Sequence, residues 1–437
     1  MATDLLRPAP LALVSAARSS VADLWRPVAA GGYRDLRRPR PHSAPASVPR
    51  TTFDPTLLRN IADPYPELRR LREHRVTVNE RLGVWMLGRY DDVHTIVRDS
   101  AVFTSRDGIM LRSFVANMVI FTDPPDHTRL RHIVAPLFSK RAVQTWRDDI
   151  RALAEAAVAD LSSGAVVDMV PALTIPMPIN VIARILGIPR EQWPAFRSVS
   201  ERFAQMFSPR SLAEVVRLMG SAMQAYLRLR SFADTELRLR ATHPADDLLT
   251  CLQAAKAAGE LTDQEAFLYV LVLLVAGNET TTNLLGVLLV QLAQDHDLFA
   301  ELKADRSLLP AAIEETARWG SPVQWVTRTA TTDYRVDDVV IPRGARTLLF
   351  YAAANRDAAK FEDPDRFDIH RNTTGHLAFG HGLHFCLGAH LARLEAAAAI
   401  DCLLDEVDGL ELAGPVRWST TPSLRGPISV PLRLNRR

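Results

Sequence analysis

Cysteine is scarce in this chain: Cys251, Cys386 and Cys402 are its only three in 437 residues. That excludes a disulfide scaffold and points to a reducing compartment. Net charge is nearly absent, with 52 basic against 50 acidic residues, so no whole-molecule field argues for a nucleic-acid partner. Uninterrupted apolar runs of about 18 residues are lacking, so no membrane span is expected. Phe267–Ala276 comes nearest, and the polar Gly277-Asn-Glu-Thr-Thr-Thr-Asn283 interrupts it. The apolar segment Leu11–Val14 is too short for a secretory core, so a cytoplasmic protein is expected. Lysine is missing from the first fifty residues, which carry eight arginines, three acids and seven of the 28 prolines. Arg37-Arg38-Pro39-Arg40-Pro41 cannot hold a helix. Residues 1–50 read as a loosely ordered arm, with a surface-binding tail or a transit-like segment as the sharper alternative.

From residue 51 to 437 the chain reads as one domain, mainly α with a small β region. Val84-Trp-Met-Leu is a strand candidate, and Tyr90–Ser100 a short amphipathic helix. Asp123-Pro124-Pro125 opens a helix, proline suiting a first turn. Strand-like material is concentrated in Tyr334–Phe350 and around Ile428–Leu434. The longest helix starts at the capping box Thr262-Asp-Gln-Glu265 and, with no proline in the way, is expected to run to about Gln294.

Four constellations carry chemistry. In Phe379-Gly-His-Gly-Leu-His-Phe-Cys386-Leu-Gly388 a bent, glycine-rich loop ends at the start of an alanine-rich helix. A cysteine at a helix mouth has its thiolate favoured, and can be a nucleophile, a redox centre or a metal ligand. Ala276-Gly277-Asn278-Glu279-Thr280 puts polar groups inside the apolar helix. Gly277 costs about 1 kcal/mol against alanine there, and its bare backbone would admit a flat ligand. Taken alone, the segment is better explained as a kink with a satisfied threonine and a paired glutamate. Glu315 and Arg318 lie three apart on one helix face and can pair. His127 and Arg131, four apart, could hold a carboxylate or simply form a solvated basic face.

Taken together and in order, these stretches resemble the cytochrome P450 haem-thiolate monooxygenases over roughly residues 55–435. The Phe379–Gly388 loop resembles the family's cysteine-ligand loop, and Ala276-Gly-x-Glu-Thr280 its oxygen-binding helix. Glu315-x-x-Arg318 resembles its buried Glu-x-x-Arg motif, Asp363-Pro-Asp-Arg366 the segment whose arginine joins that pair, and His127-x-x-x-Arg131 and Arg328 its propionate-binding positions. The resemblance implies a roughly triangular prism with haem b between the oxygen-binding helix and the cysteine loop. Cys386 would be the axial iron ligand, with Phe379 and Gly388 beside the sulfur. His384, His127, Arg131 and Arg328 would hold the propionates, and Ala276 and Gly277 would face the haem. Glu279 and Thr280 would deliver protons. Glu315, Arg318 and Arg366 would form a buried structural network.

The implied reaction is hydroxylation or epoxidation of a small hydrophobic substrate. It would use O2 and electrons from NAD(P)H, carried by a ferredoxin and its reductase or by a flavodoxin-type donor. Arg129, Arg141 and Arg393 would meet that acidic partner, and the enzyme would be a monomer. Met110, Leu111, Phe114, Val323 and Trp325 are candidate pocket residues. Two rivals stay open: a peroxygenase using hydrogen peroxide, and a non-catalytic haem-binding protein. The Glu279–Thr280 pair argues against both, since dioxygen activation is what needs it.

Overall fold

The computed structural model describes residues 44–111, 118–161, 165–204 and 212–436. Their contacts gather into two compact units interleaved along the chain, where one domain over 51–437 is expected. The first holds Thr104–Leu137 and Ile179–Asn278; the second holds the described residues up to Phe103, Phe138–Pro178, and everything from Glu279 onward. Helices dominate both. Six carry the argument: α1 (Tyr90–Arg98), α2 (Asp126–Val134), α3 (Asp263–Ala276), α4 (Glu279–Gln294), α5 (Leu309–Gly320) and α6 (Ala389–Glu406). α2 and α3 lie in the first unit, the other four in the second.

In the second unit the main sheet includes β1 (Thr77–Asn79), β2 (Val84–Leu87), β3 (Val326–Ala330) and β4 (Arg346–Leu349). These strands run in the order β1-β2-β4-β3. β2 and β4 pair in parallel, Val84 opposite Arg346; the flanking pairs are antiparallel. All four residues of β2 are buried, as a strand covered on both faces requires. A smaller sheet joins Val166–Asp168, Pro431–Arg436 and Val407–Leu412. The apolar seam of Trp85, Leu87, Val93, Ile96, Val97 and Phe103 ties α1 to the sheet. Residues 44–50, assigned above to the arm, are tied to this core, Ala44 and Val48 being part of it. Val48 is 1% exposed, the Pro49 carbonyl accepts from the Val78 amide at 2.9 Å, and the Arg50 guanidinium caps the carbonyls of Ala44, Ala46 and Val48.

α3 starts at the expected capping box, Thr262 and Glu265 bonding each other's backbone amides. It does not run unbroken to Gln294. Gly277 and Asn278 form a turn, and α4 begins at Glu279. Together, residues 263–294 are long and apolar enough to cross a membrane, but most of that stretch is buried within the protein. α4 packs on α5 and α6, and α5 on α6, so the helices carrying Thr280, Glu315 and the chain after Cys386 form one block.

Candidate functional site

The cysteine loop is folded by two left-handed glycines, Gly380 (φ +68) and Gly382 (φ +71), a region that glycine enters without a Cβ penalty. The reversal lets the Cys386 amide donate to the Phe379 carbonyl at 2.8 Å. A single 3-10 turn, Gly382–His384, follows the bend, and α6 starts two residues past Gly388's neighbour Leu387, at Ala389, with no side-chain cap. Cys386, half-buried, thus stands just ahead of a helix N-terminus. At Gly382 a β-carbon would come within 3.0 Å of the Arg98 Cα, so only glycine lets the loop sit on the end of α1. At Gly388 a β-carbon would meet nothing within 4 Å; the chain leaves room beside the turn that follows the sulfur.

α1 buttresses this loop along one face. The Tyr90 hydroxyl donates to the Gly375 carbonyl at 2.7 Å. His94, one turn on, stacks on Tyr90 and lies 4.3 Å, centroid to centroid, from the ring of His381. Burial lowers the pKa of both imidazoles, and the nearby Arg98 lowers them further. Nothing local in the sequence marks this contact, because its halves are far apart along the chain.

Behind the loop, Glu315 and Arg318 pair through two bonds of 2.7 Å with both side chains fully buried. Arg318 also donates to the carbonyls of Asn355 and Pro364 and packs on the Phe361 ring. Glu315 accepts the Asp368 amide. The expected third member is corrected here. The Arg366 side chain is 68% exposed, and only its carbonyl reaches Arg318, at 3.3 Å. Asp363, at φ +39, closes a turn onto the Arg366 amide, and the Arg366 side chain is left outside. Arg371, its side chain 9% exposed, approaches Glu315 instead, at 3.4 Å.

Ala276 and Thr280 do not share a continuous helical face, because the 277–278 turn lies between them. A β-carbon on Gly277 would come within 3.0 Å of Ile182, so its bareness serves packing against Ile182 on that side. The Asn278 amide donates to Ser200 at 3.2 Å, and Ser200 to the Leu274 carbonyl; this tie was not legible beforehand. Around the break, Ala276 is exposed and Val275, Gly277, Glu279 and Thr280 are half-buried, with Asn278 buried between them. Glu279 is half-buried, and burial pushes its carboxyl up to about 7.

The first unit holds His127, 1% exposed in the first turn of α2, with Arg131 one turn on. Burial, and then Arg131, keep the His127 pKa low. The second unit holds Arg328, buried in β3 and donating to the Thr327 carbonyl, and His384 in the 3-10 turn. Of the pocket candidates, Met110 and Leu111 are half-buried, and Phe114 lies outside the described residues. Val323 forms an isolated bridge with Leu424. Trp325 is 3% exposed, with its indole N–H held by the Pro422 carbonyl. It lines a small cleft with Phe53, Phe350 and Pro422, and is a fixed wall there. Arg129 is bonded to Glu265 and Arg393 to Glu314, while Arg141 is exposed. Cys251 and Cys402 are free thiols whose pKa values burial raises, as expected of ordinary helix cysteines.

Within the second unit the donor set fits an iron porphyrin: one soft thiol at a helix mouth, room beside Gly388, and the buried Arg328 as a cation for a carboxylate. Among the described residues no cluster of three or more His, Cys, Asp or Glu could hold a bare metal ion. Comparison with known proteins agrees. A family model described as cytochrome P450 matches residues 81–408. Cytochrome P450 107B1 of Saccharopolyspora erythraea is 37% identical over 402 residues, covering 87% of this chain and 96% of its own. The beta-dihydromenaquinone-9 omega-hydroxylase of Mycobacterium tuberculosis is 35% identical, over 86% of this chain and 77% of its own. The solved structure of cytochrome P450 CYP109Q5 from Chondromyces apiculatus superposes with a TM-score of 0.78 at 34% identity, over 88% of this chain and 98% of that one.

Proposed function

The chain belongs to the cytochrome P450 family and is an oxidoreductase of the monooxygenase type that uses haem and O2, and from that premise we propose the finer reading that follows. The enzyme takes electrons from NAD(P)H through a separate ferredoxin and reductase, or a flavodoxin-type donor, and hydroxylates or epoxidises a small hydrophobic substrate. It works as a cytoplasmic monomer. When bound, the haem supplies the oxygen-activating chemistry, with the Cys386 thiolate as its electron-donating ligand.

Each remaining role falls to a side chain. His127, Arg131, Arg328 and His384 hold the propionates by charge-assisted hydrogen bonds. Phe379 keeps water from the sulfur, and the room at Gly388 lets backbone amides approach it. Ala276 and Gly277 would face the haem. Glu315, Arg318 and Arg371 hold the chain behind the loop. Half-buried Met110 and Leu111, with Val323, offer apolar contacts to substrate, and exposed Arg141 is a contact for an acidic partner.

The observation that carries the proposal is the half-buried Glu279 carboxyl, pushed up to about 7 by burial, one residue before Thr280 at the start of α4. Near neutral pH it is close to half protonated, so it can exchange a proton with solvent and supply it to the side of the chain where Thr280 would act. Thr280→Ala is expected to leave the reduced, carbon monoxide-bound Soret band in its thiolate-type position. It should also lower the fraction of NAD(P)H yielding product by about tenfold or more. A wild-type Soret band without the red shift would overturn the cysteine assignment; unchanged coupling in Thr280→Ala would overturn the proton relay. Screening ligands by the ferric spin-state shift identifies the substrate class.

A further inference from the structure

Glu314 precedes the buried Glu315 on α5 and takes no part in its network. Its Oε1 accepts from Arg393 Nε at 2.5 Å, and its Oε2 accepts from Arg393 Nη2 and bonds His376 Nε2, each at 2.9 Å. Arg393 lies on α6, seven residues past Cys386, and also donates to the Ala389 carbonyl at 3.3 Å. Its guanidinium carbon sits 4.2 Å from the centroid of the Phe379 ring, and the His376 ring approaches the same phenyl at 5.8 Å. Phe379 is the residue whose carbonyl accepts the Cys386 amide. An unbroken series of contacts therefore runs from a carboxylate on α5 through a guanidinium and a phenyl ring to the sulfur-bearing residue. Burial would raise the Glu314 pKa, but the bonds from Arg393 and His376 outweigh it and hold the carboxyl at about 2. The Glu314 carboxyl is therefore ionised throughout the physiological range.

We propose that Glu314 is a positioning residue for the thiolate: by gripping Arg393 from two sides it fixes the guanidinium over Phe379, and so fixes the Phe379–Cys386 turn. Two features suit it to this. A bidentate carboxylate sets the plane of a guanidinium, which a lysine ammonium could not match. A cation seated on an aromatic face resists displacement of the ring. The inference rests on Cys386 being the haem ligand.

The test uses the haem-loaded enzyme and a double-mutant cycle between Glu314 and Phe379, which Arg393 links. Amide hydrogen exchange is followed in the peptide spanning residues 377–388, with the reduction potential of the iron as a second readout. Glu314→Gln is expected to speed exchange in that peptide at least threefold, leave peptides of the Val407–Leu412 sheet unchanged, and shift the potential. Arg393→Lys should resemble it, since charge without the planar fork does not hold the ring. In a Phe379→Leu background Glu314→Gln should add little. Additive effects of the two substitutions, or exchange accelerated equally throughout the second unit, would mean that Glu314 merely joins α5 to α6, and would overturn the proposal. If Glu314→Gln does not fold, Glu314→Asp replaces it in the same cycle under the same criteria. A wild-type enzyme lacking the thiolate-type Soret band refutes the ligand assignment, whereas additivity in the exchange cycle refutes the clamp alone.

Discussion

Glu279 illustrates how one half-buried carboxyl links catalysis to stability. Its folded pKa of about 7 lies above the ordinary 4.5, so between those values the folded protein binds more protons than the unfolded chain. Stability should therefore fall as pH rises through this window, by at most about 3 kcal/mol. Glu279→Gln removes the ionisation, and in urea titrations it should equal wild type near pH 4.5 and exceed it at pH 8. Equal slopes in both proteins would show that burial does not shift the carboxyl. A second comparison concerns the network behind the loop. Arg371→Ala should cost about 1–3 kcal/mol, because it strips a partner from buried Glu315. Arg366→Ala, at a side chain mostly in solvent, should stay within about 0.5 kcal/mol. The reverse order in chemical denaturation would restore Arg366 to the network. Glu315 and Arg318 were legible because helical spacing fixes which side chains meet. Arg366 was misassigned because a turn does not fix direction: the left-handed Asp363 decides which arginine points inward.

Among the elements, those with strong local signals matched the sequence reading: the capping box at Thr262, the helix from Tyr90, the strand at Val84. The break between α3 and α4 had no such signal. Absence of proline argued for continuity, while the Asn278–Ser200 bond that accompanies the turn joins residues 78 apart. The contact of α1 with the cysteine loop was hidden for the same reason, and it carries its own pH dependence. Burial and then Arg98 hold His381 below its ordinary pKa; burial, then His381, Arg98 and Lys360 do the same for His94, and Asp91 opposes them. The contact is therefore fully formed above about pH 6.5, the unfolded value, and weakens as pH falls through the lowered folded values. His94→Phe keeps a ring against His381 and removes one titrating group. Loop exchange, corrected for intrinsic rates, should rise less between pH 7.5 and 5.5 in this variant than in wild type. An identical rise would exonerate the pair.

At the scale of the whole chain, composition placed the arm boundary at residue 50, but packing moves it earlier. Arginine and proline content describe a segment's average tendency, and cannot register a single valine 1% exposed in a distant core. A chain beginning at Ala44 should be more stable than one beginning at Thr51, by about 1.5–3 kcal/mol from Val48 alone. Thermal denaturation of the two chains distinguishes this from a boundary at 50, which predicts equal midpoints. Class and chemistry were legible because the site is written in short motifs. How those motifs are supported was not, since the supports come from remote stretches.

The seat of Gly382 on the end of α1, with Tyr90 bonded to Gly375 across 285 residues, also bears on how such chains can recombine. A crossover anywhere between the two would hand a daughter chain the cysteine loop of one parent and the supporting helix of the other. The ten-residue loop is therefore not a portable cassette. Chimaeras that inherit residues 90–98 and 375–388 from the same parent should load haem, and those that mix them should fail even though every residue around the sulfur is intact.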